Sequence, residues 1–358
     1  MHRWTALAHP GLEPVVAHEL SRAGIQGRTE PGAVTFAAPL ARGAELAHNL
    51  HTPDRLLMQV TTGPASSYDQ LAQLVRRAPW SPLLTRFAPV EVHVSASASR
   101  LRHRDALARK VSLAVRDVQR RLQPARTRGK PTGQRVHVRI RADKAEISIA
   151  AGGEHLHRRG WRKMQGKAPL RENLAASLLE LAGWEDDEAL LDPMCGSGTI
   201  LIEAALRVRA AGPFMGRMLA CRSWPALARW TPSRPLSRRQ LAPILGADRE
   251  HQALLAAETN ARRAQVDITW RNLDLASIEA PAATGLVVTN PPYGKRLGRN
   301  VGGVYAGLGR ALRGPLRGWR ALFLAPDPGL ARKVDRTADQ LTTFQNGGVR
   351  VGVYAVDV

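Results

Sequence analysis

"LLDPMCGSGTILIEAA", residues 190–205, decides how this 358-residue chain folds. Two leucines and Asp192 read as the end of a short buried strand. From about Thr199, "GTILIEAALRVRAA" reads as a helix. The join between them is Cys-Gly-Ser-Gly. Gly196 and Gly198 allow a tight turn and let a ligand approach the backbone. A helix opening near Thr199 offers unpaired N–H groups and the positive end of its dipole to an anion. The spacing is neither the dinucleotide pattern GxGxxG nor a triphosphate loop with Gly-Lys-Ser/Thr. A purely structural turn is the plain alternative. What favours a binding loop is its company, because Asp248 in "LGADRE" ends the next strand just as Asp192 ends this one.

Outward from this stretch, strands and helices alternate. "RENLAASLLELAGW" precedes it as a helix. "APILGADRE", "DITWRNLDL", "TGLVVTNPP" and "WRALFLAP" read as strands, separated by helices at "HQALLAAETNARRAQV" and "VYAGLGRALRG". The tail "QLTTFQNGGVRVGVYAVDV" reads as a hairpin. Repeated βα units predict an α/β fold, a doubly wound and mostly parallel sheet with an antiparallel edge. An insertion rich in Trp, Arg and Pro, at about 207–242, separates the first two strands.

The first half is different in kind. Strands at "RWTALAHP" and "GAVTFAAP" flank a helix in "GLEPVVAHELSRAGI". A helix and the strand "RLLMQVT" occupy 43–60. Then come a helix at "SYDQLAQLVRRAPW", a strand at "PVEVHVSAS", a basic helix at "RDALARKVSLAVRDVQRRL", a loop at "PARTRGKPTG" and a hairpin through 134–153. "EHLHRRGWRKMQGKAP" has little pattern and reads as a linker.

Charge marks the same division. The net charge is +22, and residues 1–165 alone hold 27 basic against 12 acidic residues. Fourteen basic and two acidic side chains lie between Arg100 and Arg141. Such a stretch suits a polyanion, nucleic acid first, without conferring sequence specificity. A merely basic surface is the alternative. Cys195 and Cys221 form neither a disulfide framework nor a metal cluster, and no metal is expected. With no apolar leader at "MHRWTALAHPGLEPVVAHEL" and no long apolar run, a cytoplasmic protein without membrane association is expected, and a monomer is the expected state.

"TNPPYG" (289–294) carries the chemistry. Two prolines end the strand, since neither can donate a hydrogen bond. An exocyclic base amine is a poor nucleophile because its lone pair is delocalised. The Asn290 side-chain oxygen and the Pro291 carbonyl are two acceptors for its N–H bonds, which favours pyramidal nitrogen and stabilises developing charge. Pro292 stiffens the turn, and Tyr293 offers a stacking face for an extruded base. A Pro-rich turn alone would mean little, but Asn-Pro-Pro-Tyr after an apolar strand is far more specific.

Together these residues resemble a class I S-adenosylmethionine-dependent amino-methyltransferase. "LHRRGWRK", "APLRENLAASLL", the 190–205 stretch and "TNPPYGKRLG" are similar to bacterial RNA guanine-N2 methyltransferases that carry a THUMP domain. The resemblance spans nearly the whole chain, strongest in 156–205 and 285–298. It implies a Rossmann-like sheet behind an α+β region: a ferredoxin-like segment at 1–42, a THUMP-like domain at 43–153, a linker at 154–170 and the methyltransferase domain at 171–358. By the same resemblance, Asp192, Met194, Cys195, Gly196, Ser197, Gly198 and Thr199 form the methionine-side loop for S-adenosyl-L-methionine. Asp248 with Arg249 serves the ribose and Asp274 the adenine. Either acid alone is also compatible with an ordinary cap or loop. Structured RNA, rRNA before tRNA, is the implied partner. Arg104, Arg109, Lys110, Arg116 and Arg120 of the basic helix, and Arg158, Arg159, Arg162 and Lys163 of the linker, are its candidate contacts. DNA amine methylation, or an RNA-binding assembly factor with an inactive domain, are the rivals.

Overall fold

The computed structural model describes residues 1–123, 132–164, 170–209, 212–214, 217–233, 242–293 and 301–357. Most of the expected 124–133 loop and Gly294 of the Asn-Pro-Pro-Tyr turn lie outside these residues.

The first half comprises β1 (His2–Leu7), α1 (Glu13–Arg22), β2 (Arg28–Glu30), β3 (Ala33–Ala38), α2 (Leu40–Asn49), β4 (Arg55–Pro64), α3 (Tyr68–Arg77), β5 (Val90–Ser97), α4 (Arg104–Arg121), β6 (Gln134–Arg141) and β7 (Lys144–Ala150). They build one seven-stranded sheet in the order β2-β3-β1-β4-β7-β6-β5. β4 is the shared strand: its first residues pair with β1, and Leu57 onward pairs with β7. Packing explains one oddity of α2. Gly43 is a poor helix interior residue, yet a Cβ there would lie 2.0 Å from the Trp4 ring. The glycine lets a buried indole rest against helix backbone.

The second half runs α5 (Glu172–Leu181), β8 (Leu190–Asp192), α6 (Thr199–Val208), β9 (Ile244–Asp248), α7 (His251–Ala264), β10 (Thr269–Asn272), β11 (Leu286–Thr289), α8 (Val301–Arg313), β12 (Arg320–Ala325), α9 (Pro328–Val334), β13 (Asp339–Asn346) and β14 (Val349–Asp357). Its sheet order is β10-β9-β8-β11-β12-β14-β13. The β8–β12 pairings are parallel, while β14 runs antiparallel to β12 and β13. This is the expected α/β architecture. Apolar side chains pack both faces of the sheet, as parallel strands require.

Among the strands and α-helices, two were not expected: the short edge strand β2, and α9, whose first turn is capped by Asp327 accepting from the Leu330 N–H at 2.9 Å. The larger surprise is the insertion. Phe214, Leu219, Cys221, Trp224 and Leu227 are buried in the core of the first half, not of the second. The Trp224 ring stacks on Trp4 at 6.4 Å, and its Nε1–H donates to the Gln134 Oε1 at 2.9 Å. Residues 154–164 hold no helix or strand, but Leu156, Arg159 and Trp161 there are fully buried. The connection is a packed joint between the halves.

Candidate active site

The sheet order sets the site. β8 lies between β9 and β11, so the chain leaves it in opposite directions on its two sides, and a crevice opens at the carboxyl ends. A cavity of about 820 Å³ occupies that crevice. Met194, Gly196 and Ser197 line it from the loop after β8. Asp248 and Arg249 line it from the end of β9, Asp274 from beyond β10, and Asn290, Pro291, Pro292 and Tyr293 from the end of β11. Ten of the fourteen residues expected at the catalytic and cofactor positions therefore share one cavity. Val304, Gly307 and Arg310 of α8 form the opposite wall.

The other four stand behind the wall. Asp192 is 2% exposed and accepts from the Thr289 hydroxyl at 2.7 Å and the Met194 N–H at 3.1 Å. It ties the ends of β8 and β11 together. Burial pushes its carboxyl up to about 7, and nearby Asp248 adds to the effect. Cys195 is buried, its N–H donating to the Ala247 carbonyl, and burial raises its thiol well above the ordinary range. Gly198 has φ +78°, and a Cβ there would meet the Trp270 ring at 2.7 Å. Thr199 accepts from the Arg162 guanidinium at 2.7 Å.

Asp248 braces the loop directly: one oxygen accepts from the Gly196 N–H and the other from the Glu250 N–H, both at 2.9 Å. Each carboxylate oxygen keeps a second lone pair for a ligand. Asp274 accepts from the Ala276 N–H at 3.2 Å. The Asn290 Oδ1 is buried and has no hydrogen-bond partner among the described residues. A buried acceptor left without a donor is costly, and Asn290 is one of the residues that line the cavity. The Tyr293 hydroxyl accepts from Asn346 Nδ2 at 2.5 Å, and burial raises its phenol above the usual value.

Two residues of this neighbourhood were not among the candidates. Asn260 of α7 is fully buried and uses all four of its amide hydrogen-bonding positions. Its Oδ1 accepts from the Lys163 and Met164 N–H groups, and its Nδ2 donates to the Met164 and Ser197 carbonyls. It fastens the joint to the cofactor-side loop. Asn346 is the last residue of β13, beside the turn of the closing hairpin. Neither carries a local signal beyond a polar residue in a helix and an Asn-Gly turn.

The basic candidates separate. Arg104, Arg109, Arg116 and Arg120 of α4 are exposed, with Arg120 near Asp117 at 3.6 Å. Lys110 is half-buried and pairs with Asp69 at 2.9 Å. Arg158 and Lys163 are exposed. Arg159 and Arg162 do not belong with them. Arg159 is fully buried, paired with Glu203 at 3.1 Å and donating to the His51 and Leu156 carbonyls. Arg162 pairs with Glu172 at 3.1 Å and donates to Thr199 and the Leu170 carbonyl. A charge already satisfied inside the protein is not offered to a phosphate.

A polar cluster at the joint was also unforeseen. Asp54 takes Nδ1 of His155 at 2.8 Å and of His157 at 3.1 Å, a set of a kind that can hold a metal. Arg55 Nη2 lies 2.6 Å from His155 Nε2. That contact makes Nε2 the acceptor and leaves Nδ1–H to donate to Asp54, which describes a hydrogen-bonded link. Although burial opposes it, the two imidazoles hold the Asp54 carboxyl well below the usual range.

Comparison with known proteins finds relatives of both halves. Residues 159–352 match the family described as "RMKL-like, methyltransferase domain", and residues 3–57 match "RlmL ferredoxin-like domain". A ribosomal RNA large subunit methyltransferase K/L of Syntrophotalea carbinolica is 34% identical over 99% of this chain and 53% of its own length. A putative RNA methyltransferase, slr0064, of Synechocystis is 30% identical over 95% of this chain and 92% of its own. The chain thus spans about half the length of the K/L relatives it matches. Among solved structures, a putative methyltransferase complexed with SAH, SMU.472, superposes with a TM-score of 0.85 at 26% identity, covering 99% of this chain and 98% of that one.

Proposed function

Because this chain belongs to the RMKL-like methyltransferase-domain family, we propose that it transfers a methyl group from S-adenosyl-L-methionine to the exocyclic N2 amine of a guanosine in structured RNA. Large-subunit (23S) ribosomal RNA is the first choice of substrate and tRNA the second. The observation that carries this reading is the buried Asn290 Oδ1, an acceptor without a donor among the described residues, in a side chain that lines the same crevice as the loop after β8.

The residues present fit the cofactor. Gly196 and Gly198 hold positive φ, and the cavity lies against the loop and the acids that follow it. Met194, Gly196 and Ser197 would face the methionine moiety, Asp248 the ribose, with Arg249 beside it, and Asp274 the adenine. Asp192, Cys195, Gly198 and Thr199 shape that loop from behind. Bound there, S-adenosylmethionine supplies an electrophilic methyl group.

The chain's own groups do the rest. Asn290 Oδ1 and the Pro291 carbonyl accept the two N–H bonds of the target amine, which aims its lone pair and stabilises positive charge developing on nitrogen. Tyr293 stacks on the base. No strong base is needed first, because the amine proton becomes acidic as nitrogen is alkylated. The exposed arginines of α4 grip RNA phosphates, within a first half read as a ferredoxin-like segment followed by a THUMP-like domain.

Asn290→Ala and Tyr293→Ala should each abolish methyl transfer while RNA binding stays nearly intact. Persistent methylation in both would remove the catalytic assignment. Mass-spectrometric mapping of N2-methylguanosine in rRNA and tRNA from a strain lacking the gene identifies the substrate. A site lost only from tRNA overturns the first choice.

A further inference from the structure

We propose that Asn346 is a positioning residue for the reaction, setting the Tyr293 ring against the incoming base from the far edge of the sheet. The inference rests on the reading of Tyr293 as the stacking face.

Tyr293 is only half-buried at the end of a proline turn. Two soft side-chain torsions decide where its ring points. On one side the ring rests against the core cluster that includes Phe344 and Val351. Its far end is held by the Asn346 amide at 2.5 Å.

Asn346 is well placed to act as a fixed point. It is the last residue of β13 and pairs with Val349 across Gly347 and Gly348, whose φ values are +57° and +85°. Two consecutive positive φ angles make the tight hairpin turn whose twist matches its strands, so the register is defined. Alternate residues of a strand share a face, which puts Thr342, Phe344 and Asn346 on one side of β13. Each makes a different contact. The Thr342 hydroxyl donates to the Gly11 carbonyl at 2.8 Å. Phe344, in the core, meets His9 edge-on at 6.1 Å. Asn346 reaches Tyr293. One face of one strand therefore bears on the loop before α1 and on the catalytic ring. Gly11 shows how close the docking is, because a Cβ there would lie 2.2 Å from the Thr343 carbonyl. The same strand spans from the first half of the molecule to the reacting end of the second.

The test has two arms. In the first, the four tyrosines are replaced by 3-fluorotyrosine. The Tyr293 fluorine resonance is assigned with Tyr293→Phe and compared in wild type and Asn346→Ala. The expected result is a shift or broadening of that line alone. An unmoved line overturns the proposal whatever the activity. In the second, methyl transfer to rRNA and tRNA from a strain lacking the gene is measured for Tyr293→Phe, Asn346→Ala and the double variant. Each single change should lower kcat about tenfold, the cost of one lost orienting hydrogen bond. The double variant should be no worse than either single one, since both remove the same link. S-adenosylhomocysteine affinity and RNA affinity should stay within about twofold. A kcat for Asn346→Ala equal to wild type, or independent effects that multiply, overturns the positioning role. A wild-type protein that methylates neither RNA overturns the proposed function instead, and the fluorine arm still decides the contact.

Discussion

Two arginine-rich segments sort their charges by different rules. On α4, Arg104, Arg109, Arg116 and Arg120 face solvent while Leu107, Val111 and Val115 fill the core. At the joint, neighbours divide: Arg158 is exposed, and Arg159, the next residue, is fully buried against Glu203. On α4 a 3.6-residue period sorts charge from core. The joint has no period, so each side chain is sorted by what lies across from it. Basic composition therefore marks a polyanion surface only where the pattern keeps the charges outside.

The comparison breaks hardest at Arg159. Arg159→Met leaves the Glu203 carboxylate buried without its main counter-ion, and should cost about 3–5 kcal/mol in denaturant unfolding. Adding Glu203→Leu should recover most of that loss. A single variant as stable as wild type would mean the pair is not buried as described.

Asp192 sharpens the contrast as a buried carboxyl with no cation beside it among the described residues. Its carboxyl is raised, so the folded state holds a proton that the unfolded chain has already released. Stability should therefore fall as pH rises from about 5 through about 7, by about 2 kcal/mol. Asn in its place can still accept from Thr289 and Met194, and an Asp192→Asn variant should lack that decline. Parallel pH curves for the two proteins would contradict it.

For the exposed set, Arg104→Gln, Arg109→Gln and Arg116→Gln combined should leave stability within about 0.5 kcal/mol. RNA affinity should fall about tenfold, and the slope of log K against log salt should flatten by about 2. An unchanged salt slope would remove α4 from the RNA surface. The smallest effect belongs to Arg158→Ala, whose pair with Glu154 is an exposed i,i+4 contact at 3.0 Å. About 0.3 kcal/mol or less is expected, one residue from the largest effect in the series.

Much of the second half was legible because its signals are local. Strands β8–β12, helices α5–α8 and the closing hairpin follow from periodicity, glycines and prolines. The crevice follows from which strand ends carry Asp248, Asp274 and Asn290. Periodicity could not show that Arg159 and Arg162 turn inward, since their partners Glu203 and Glu172 are 44 and 10 residues away. Nor could it show that Asn260 fastens Ser197 to the joint, or that Asn346 reaches Tyr293. Those are tertiary contacts made by residues with unremarkable neighbours. The insertion was recognised as extra sequence, but a tryptophan in an irregular run says nothing about which core will take it.

That last feature has a consequence during synthesis. Trp224 and its neighbours complete a core whose strands end at Ala150. At the usual pace of translation, roughly 5–20 residues per second, more than 70 residues must follow before that side chain arrives. For several seconds the nascent first half carries Trp4 and the surrounding apolar surface without their cover. A chain stopped before residue 224 would hold a half whose strands are all present but whose core has not closed.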